Sequence, residues 1–137
     1  VTFLGPLPHK ELSSYYNMAD ILVLPSDMEG VPMVILESLA CGTPVVASAV
    51  GGIPDILCDG TNGVLLNTCS SEQITRAIIK ALKYRLQRRH VAQTIEPFSM
   101  TNYIKALEQI MSTTLRERRC CSNRTTSLGP HSTKEFI

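Results

Sequence analysis

The 137-residue sequence contains no tryptophan, and its three Phe and four Tyr hold aromatics to 5% of the chain. With so few stacking side chains, a surface that reads single-stranded nucleic acid on aromatic platforms is not expected. The longest stretch poor in charge, Gly30 to Pro54, is broken by Gly, Pro and Glu37 well short of the ~20 apolar residues a membrane-spanning helix needs. Val1 to His9 lack the basic start and apolar segment of a signal peptide. Cys41, Cys58, Cys69, Cys120 and Cys121 form no CxxC and no Cys/His set at zinc spacing, and His9, His90 and His131 lie far apart, so no metal is expected. An odd cysteine count without an export signal gives reduced thiols and a cytoplasmic location as the expectation. There is no initial Met either, from which a piece of a longer protein is expected.

Basic charge is scarce in one half only. Residues 1–75 hold one base, Lys10, against eight acids, a net −7, whereas residues 76–137 hold twelve bases against four acids, a net +8. The bases of the second half scatter over helix faces and a tail, so nucleic acid is not expected as a partner. Arg118-Arg119 beside Cys120-Cys121 leaves peripheral contact with a membrane face as a minor expectation, against a solvated tail as the plainer one.

With 44% hydrophobic and 18% charged residues the chain can bury a core. Val1 to Leu4, closed by Gly5-Pro6, reads as a strand. Leu12, Tyr15, Tyr16 and Ala19 follow at helical spacing from Pro8. Asp20 to Leu24 is an apolar run of the kind buried on both faces of a parallel sheet. Pro32 opens a helix that Gly42 and Pro44 stop, and Pro44 to Ala47 makes the next strand. One helical turn after Gly51-Gly52-Ile53-Pro54, a turn over Asp59 to Gly63 and a strand over Gly63 to Leu66 complete the alternation. Ser70 with Gln73 has the capping-box pattern, ahead of an amphipathic helix carrying Ile74, Ala77, Ile78, Ala81 and Leu82. Tyr84 to Gln93 reads as that helix's frayed basic end and a loop. Ser99 caps a last helix striped with Tyr103, Ile104, Leu107, Ile110, Met111 and Leu115. The fold expected is α/β, an incomplete Rossmann-like doubly wound parallel sheet with a C-terminal helix, over residues 1–117, and a disordered tail over 118–137.

Glu37 is the feature that asks for an explanation. It sits within Met33 to Ala40, a helix apolar nearly all round, and a buried carboxylate is costly without donors. Helical side chains lean toward the N-terminus, so its carboxylate is expected at the helix mouth, among the unpaired amides of Val31, Met33 and Val34. Glu29 stands just before that mouth. Two carboxylates near such amides suit a ligand that combines hydroxyls with a phosphate, and Gly30 lets the backbone approach it. Spacing alone leaves a second reading open: Glu29 as a solvated loop acid, and Glu37 as a structural carboxylate capping buried N–H groups.

The run Glu29-Gly30-Val31-Pro32-Met33-Val34-Ile35-Leu36-Glu37-Ser38-Leu39-Ala40-Cys41-Gly42-Thr43-Pro44-Val45-Val46-Ala47-Ser48, followed by Gly51-Gly52-Ile53-Pro54-Asp55, closely resembles the donor-binding signature of the retaining glycosyltransferases of family 4 (group 1). Phe3-Leu4-Gly5, Ala19-Asp20 through Leu24-Pro25-Ser26, Asp59 to Gly63 and Phe98-Ser99 agree with it, so the resemblance covers about residues 1–115. It implies the C-terminal donor half of a GT-B enzyme, acting on a UDP- or GDP-linked sugar without an essential metal or other cofactor. By the same resemblance, Glu29 is the catalytic-site acid, contacting hydroxyls of the transferred sugar. Glu37 would meet the ribose hydroxyls, and the backbone of Gly30, Val31, Pro32 and Met33 the sugar and diphosphate. Ser48 is a further candidate for a ligand hydrogen bond, and Gly51-Gly52 is either a tight turn or a close approach to donor phosphate.

The departures bear on activity. The family holds the diphosphate with an Arg and a Lys from earlier strands; this sequence has neither at those positions, none of its residues resembles the acceptor domain, and Asp55 stands where Glu is usual. Weak or no transfer by the chain alone is therefore expected. The competing expectation is a non-catalytic interaction module, self-associating through an exposed sheet edge.

Overall fold

The structure is a computed structural model that describes the backbone of residues 1–124 and the side chains of residues 1–113. Contacts divide the chain into a unit of residues 1–97 and a second unit that begins at Phe98. The first contains α1 (His9–Met18), β1 (Leu22–Leu24), α2 (Met33–Ala40), β2 (Val45–Ser48), α3 (Ile53–Ile56), β3 (Gly63–Leu66), α4 (Ser71–Lys83) and α5 (Arg88–Gln93).

The three strands form a parallel sheet in the order β1-β2-β3, with Leu22 opposite Val45 and Val45 opposite Gly63. Side chains of a strand alternate between faces, and β2 shows what that achieves at the centre of the sheet. Val45 and Ala47 pack with Ile35 and Leu39 of α2, Ile53 and Ile56 of α3, and Val91 of α5. Val46 faces the other way, onto Val64, Leu66 and the α4 residues Ala77 and Ala81. Helices thus cover both faces, which is the doubly wound arrangement. All four residues of β2 are buried, while β1, at the edge, is half-buried throughout. The expectation of a strand over Asp20–Leu24 covered on both faces is met only in part: the strand is confined to Leu22–Leu24 and none of its residues is fully buried.

Three local readings change. Val1–Leu4 is not a strand; no strand of the sheet pairs with it, and Phe3 is 93% exposed. β-propensity without a partner leaves the backbone no ladder to join. The segment read as a frayed end and loop holds α5, whose Val91 is completely buried. Two adjacent apolar residues, Val91 and Ala92, in a basic hexapeptide give no periodicity, so only packing reveals that helix. Likewise α2 is covered on one side only: Ile35, Ser38 and Leu39 are buried, whereas Met33 and Val34 are exposed.

The second unit is described by α6 (Met100–Arg124), entered through Ser99, whose hydroxyl accepts from the Asn102 amide at 3.4 Å. No Gly or Pro interrupts residues 100–124, and the helical backbone continues past residue 118, where the tail was expected to begin. The remainder of the expected tail lies outside the described residues.

Ser70 caps α4 as its pattern predicts, accepting from the Gln73 amide at 3.3 Å. Asn62 does more than make a turn. Buried to 1% exposure, it accepts from the Cys58 amide at 2.7 Å and donates to the Ile56 carbonyl and the Thr94 hydroxyl, each at 3.0 Å. It thereby joins the end of α3, the turn before β3 and the end of α5. Beside it Gly63 has no room for a side chain, since a Cβ there would lie 2.0 Å from the Val45 carbonyl oxygen across the β2–β3 ladder. Truncating Asn62 leaves buried donors and acceptors unmatched, at a cost of ~1–3 kcal/mol for such a group. The Asn62→Ala chain is expected to be about 2–3 kcal/mol less stable in urea unfolding, with an unchanged denaturant slope.

Candidate functional site

In open parallel sheets ligands bind beyond the carboxyl ends of the strands. Here those ends are stitched together by short polar side chains. Ser48, the last residue of β2, places its hydroxyl 3.1 Å from the Cys69 sulfur beyond β3. The Cys69 thiol points back to the Ser26 carbonyl beyond β1, at 3.9 Å. Ser26 donates in turn to the Glu29 carboxylate at 2.7 Å. Ser48 is only 2% exposed, so its hydroxyl serves this seam and is not presented to an open surface.

The loop carrying Glu29 and Gly30 is clamped to the loop after β2. The Gly52 amide donates to the Gly30 carbonyl at 2.8 Å. Gly51 has a φ of +56°, and a Cβ on it would stand 2.0 Å from the Glu29 carbonyl oxygen. Only glycine meets both demands at once. Gly51-Gly52 forms the tight turn of the two readings, closed by the Ile53 amide on the Val50 carbonyl at 3.2 Å, and the turn brings Glu29, Gly30 and Val31 against the glycine pair. Gly30 itself faces open space where its Cβ would be. Pro32 is the N-cap of α2 and no side chain caps that mouth; the Ile35 amide bonds to the Pro32 carbonyl at 3.1 Å.

Glu37 does not turn back to the mouth of α2. Its two oxygens meet α1: Tyr16 donates its hydroxyl to Oε2 at 3.1 Å, and His9 Nε2 lies 3.1 Å from Oε1. The groove between these helices has a volume of about 340 Å³ and is lined by His9, Lys10, Leu12, Ser13, Tyr16, Glu37, Ala40 and Cys41. Glu37 keeps 26% of its side chain exposed, so it is the wall of a cavity and not a sealed core group. Glu29 does not line this groove. The expected convergence of both carboxylates on the amides of one helix mouth is thus replaced by two places: the glycine clamp with Glu29, and the α1–α2 groove with Glu37. The reason is packing. α1 lies on α2 and brings a phenol to Glu37, so the carboxylate is satisfied sideways.

Tyr16 is held at both ends. Its carbonyl accepts from the Thr43 hydroxyl at 2.6 Å and from Arg88 at 3.3 Å. Arg88 also donates to the carbonyls of Asn17 at 3.0 Å and Ala19 at 2.8 Å, and to Thr43 Oγ1 at 3.0 Å. A cation on the last carbonyls of a helix is favourable for both its hydrogen bonds and the helix dipole. The sequence places Tyr16 at helical spacing with Leu12 and gives His9 no partner among the other histidines. The available signal was the i, i+3, i+4, i+7 spacing of His9, Leu12, Ser13 and Tyr16, which puts all four on one helix face. Nothing in the sequence pointed to Arg88.

Among the described residues no group of three or more His, Cys, Asp or Glu is arranged to hold a metal, Cys41, Cys58 and Cys69 are unpaired thiols, and no helix is long and apolar enough to cross a membrane.

A three-stranded parallel sheet covered on both faces, with a glycine-clamped acidic loop beyond its carboxyl ends, is a doubly wound α/β domain. Comparison with known proteins is specific. Residues 1–97 match the family described as glycosyl transferases, group 1. The D-inositol 3-phosphate glycosyltransferase of Mycobacterium bovis (strain BCG / Pasteur 1173P2) is 38% identical over 113 residues, covering 78% of this chain and 24% of the relative, and that of Mycobacterium tuberculosis (strain ATCC 25618 / H37Rv) matches equally. Among solved structures, sucrose-phosphate synthase from Thermosynechococcus elongatus superposes with a TM-score of 0.69 at 30% identity, over 88% of this chain and 31% of that one. The lipopolysaccharide outer core galactosyltransferase WaaB superposes at 0.66 over 77% of this chain and 30% of its own; at 24% identity it bears on the fold alone. The chain belongs to the group 1 glycosyltransferases, family 4, and aligns to the C-terminal part of these retaining GT-B enzymes. It spans about a quarter of the length of the curated relatives.

Tyr16 gives a spectroscopic handle on the groove. Burial first, then the hydrogen bond and negative charge of Glu37, push its phenol up to about 12 from 10. Because the folded value is the raised one, this contribution to stability is complete below pH ~10 and is lost as the pH climbs through about 12. The difference absorbance between the wild type and Tyr16→Phe is expected to show a phenolate midpoint near 12. In a Glu37→Gln background the midpoint falls only part of the way to 10, burial being the larger cause.

Proposed function

We propose that this chain is the donor-binding region of a nucleotide-sugar-dependent glycosyltransferase. The full enzyme would transfer a hexose or N-acetylhexosamine from a UDP- or GDP-linked donor to an acceptor, with retention of configuration and without a metal. The observation that carries this reading is Glu37, an accessible carboxylate on the wall of a groove of about 340 Å³ whose other lining residues include Leu12, Ala40 and Cys41. An apolar floor beside one fixed acceptor suits a nucleoside, with the carboxylate taking hydrogen bonds from ribose hydroxyls. Glu29, Gly30, Val31, Pro32 and Met33, set by the glycine clamp, would face the transferred sugar and the diphosphate. Uncapped amides at the mouth of α2 favour an anion there, and stabilising the leaving diphosphate would be their main effect on rate.

The electrostatics limit what this chain does alone. Lys10, which lines the groove, is the one Lys or Arg among residues 1–75, against eight acids. A diphosphate is held best by bidentate or paired cations, and one lysine in a field of net −7 is a poor substitute. The isolated chain is therefore expected to bind nucleotide weakly and to transfer no measurable radiolabelled sugar.

Calorimetry with UDP and GDP tests the assignment. Millimolar or tighter binding is expected for at least one of them, weakened about tenfold or more by Glu37→Ala, as for loss of hydrogen bonds to a charged group. No binding of either, or binding indifferent to Glu37, overturns it. A second reading, a non-catalytic interaction module, draws on the exposed apolar side chains Met28, Val31, Met33 and Val34 around the start of α2. Self-association without nucleotide binding is the result that would favour it.

A further inference from the structure

We propose that Tyr16 is a positioning residue: it fixes the Glu37 carboxylate so that its remaining lone pairs accept a vicinal diol, and so sets the preference of the groove for ribose over 2′-deoxyribose. This rests on the reading of the groove as a nucleoside site.

A carboxylate offers about four acceptor positions, and its terminal torsion is soft. Left alone on a helix, Glu37 would present those positions in many directions. Tyr16 takes one position on Oε2 and His9 engages Oε1, each at 3.1 Å, which leaves about two for a ligand, one on each oxygen. The neighbouring hydroxyls of a ribose are spaced to use both.

The two protein partners are not equivalent. His9 is 85% exposed and sits in the first turn of α1, where nothing restrains its ring but Glu37 itself. Tyr16 is half-buried, and its backbone is bolted from behind by Thr43 and Arg88. Only the ring torsions remain to be ordered, and partial burial limits them. The direction of the carboxylate therefore follows Tyr16, while His9 can yield its place to a ligand.

A deleted hydroxyl exposes the difference between aiming and support. Wild-type chain is expected to bind UDP or GDP about tenfold or more tightly than the matching 2′-deoxynucleotide, since the lost hydroxyl leaves a charged acceptor short of a partner. In Tyr16→Phe this ratio should fall to within about threefold, with affinity for the 2′-deoxynucleotide nearly unchanged. In His9→Ala the wild-type ratio should persist. A merely structural Tyr16 would weaken both nucleotides equally and leave the ratio intact, which overturns the proposal, as does a wild-type chain that binds UDP or GDP without ribose preference. A wild-type chain that binds neither nucleotide sinks the donor-site reading itself and this inference with it. Should Tyr16→Phe melt early, 3-fluorotyrosine placed at position 16 keeps the hydroxyl; its fluorine resonance is expected to shift more with UDP than with 2′-deoxy-UDP, and equal shifts overturn the proposal.

Discussion

The groove exists because the last turn of α1 cannot move. Arg88 gathers the carbonyls of Tyr16, Asn17 and Ala19, and Thr43 takes the Tyr16 carbonyl as well. Four polar contacts on one helix end are modest singly, of the order of 1 kcal/mol each in net terms and less where water competes. Together they register α1 against the turn before β2 and against α5. With that register set, the face carrying His9, Leu12, Ser13 and Tyr16 lies along α2, and Glu37 finds its donors there. Without it, α2 would carry a half-exposed carboxylate beside an uncapped helix mouth and no cavity to shape a ligand.

The second constraint is independent of the first. Gly51, at a φ of +56° and with no room for a Cβ against the Glu29 carbonyl, lets the loops after β1 and β2 touch. The Ser26–Cys69–Ser48 seam ties the third strand's end into the same arrangement. Glu29 is thus positioned by backbone contact across the top of the sheet, and Glu37 by side-chain contact between two helices. Two carboxylates eight residues apart are placed by different physics; in the proposed function one would serve a nucleoside and the other a sugar.

Much of this was legible in the residues. Alternating strand and helix patterns, the apolar strand read over Pro44 to Ala47 and found at Val45–Ser48, the turn residues before Gly63 and the Ser70 cap all act locally, and each appears where its chemistry requires. The outlying errors share one cause: they depend on neighbours. Val1–Leu4 has the composition of a strand but no partner, and β1 is half-buried where full burial was expected. Val91 anchors α5 through tertiary contact alone. At the site, the helical lean of Glu37 toward its own N-terminus was a fair inference from one helix taken in isolation; the phenol that redirects it comes from 21 residues away in sequence. Arg88 is 72 residues from the carbonyl it holds, and no spacing rule reaches that far.

The central claim is that a nucleotide's ribose sits between α1 and α2, against Glu37. Intermolecular NOEs on the chain saturated with UDP or GDP test it most directly, because they report where the ribose lies whatever the affinity. The account predicts contacts from the ribose protons to the methyl groups of Leu12 and Ala40 and to the Tyr16 ring. Ribose contacts confined to other surfaces, such as the outer edge of β3, would contradict it.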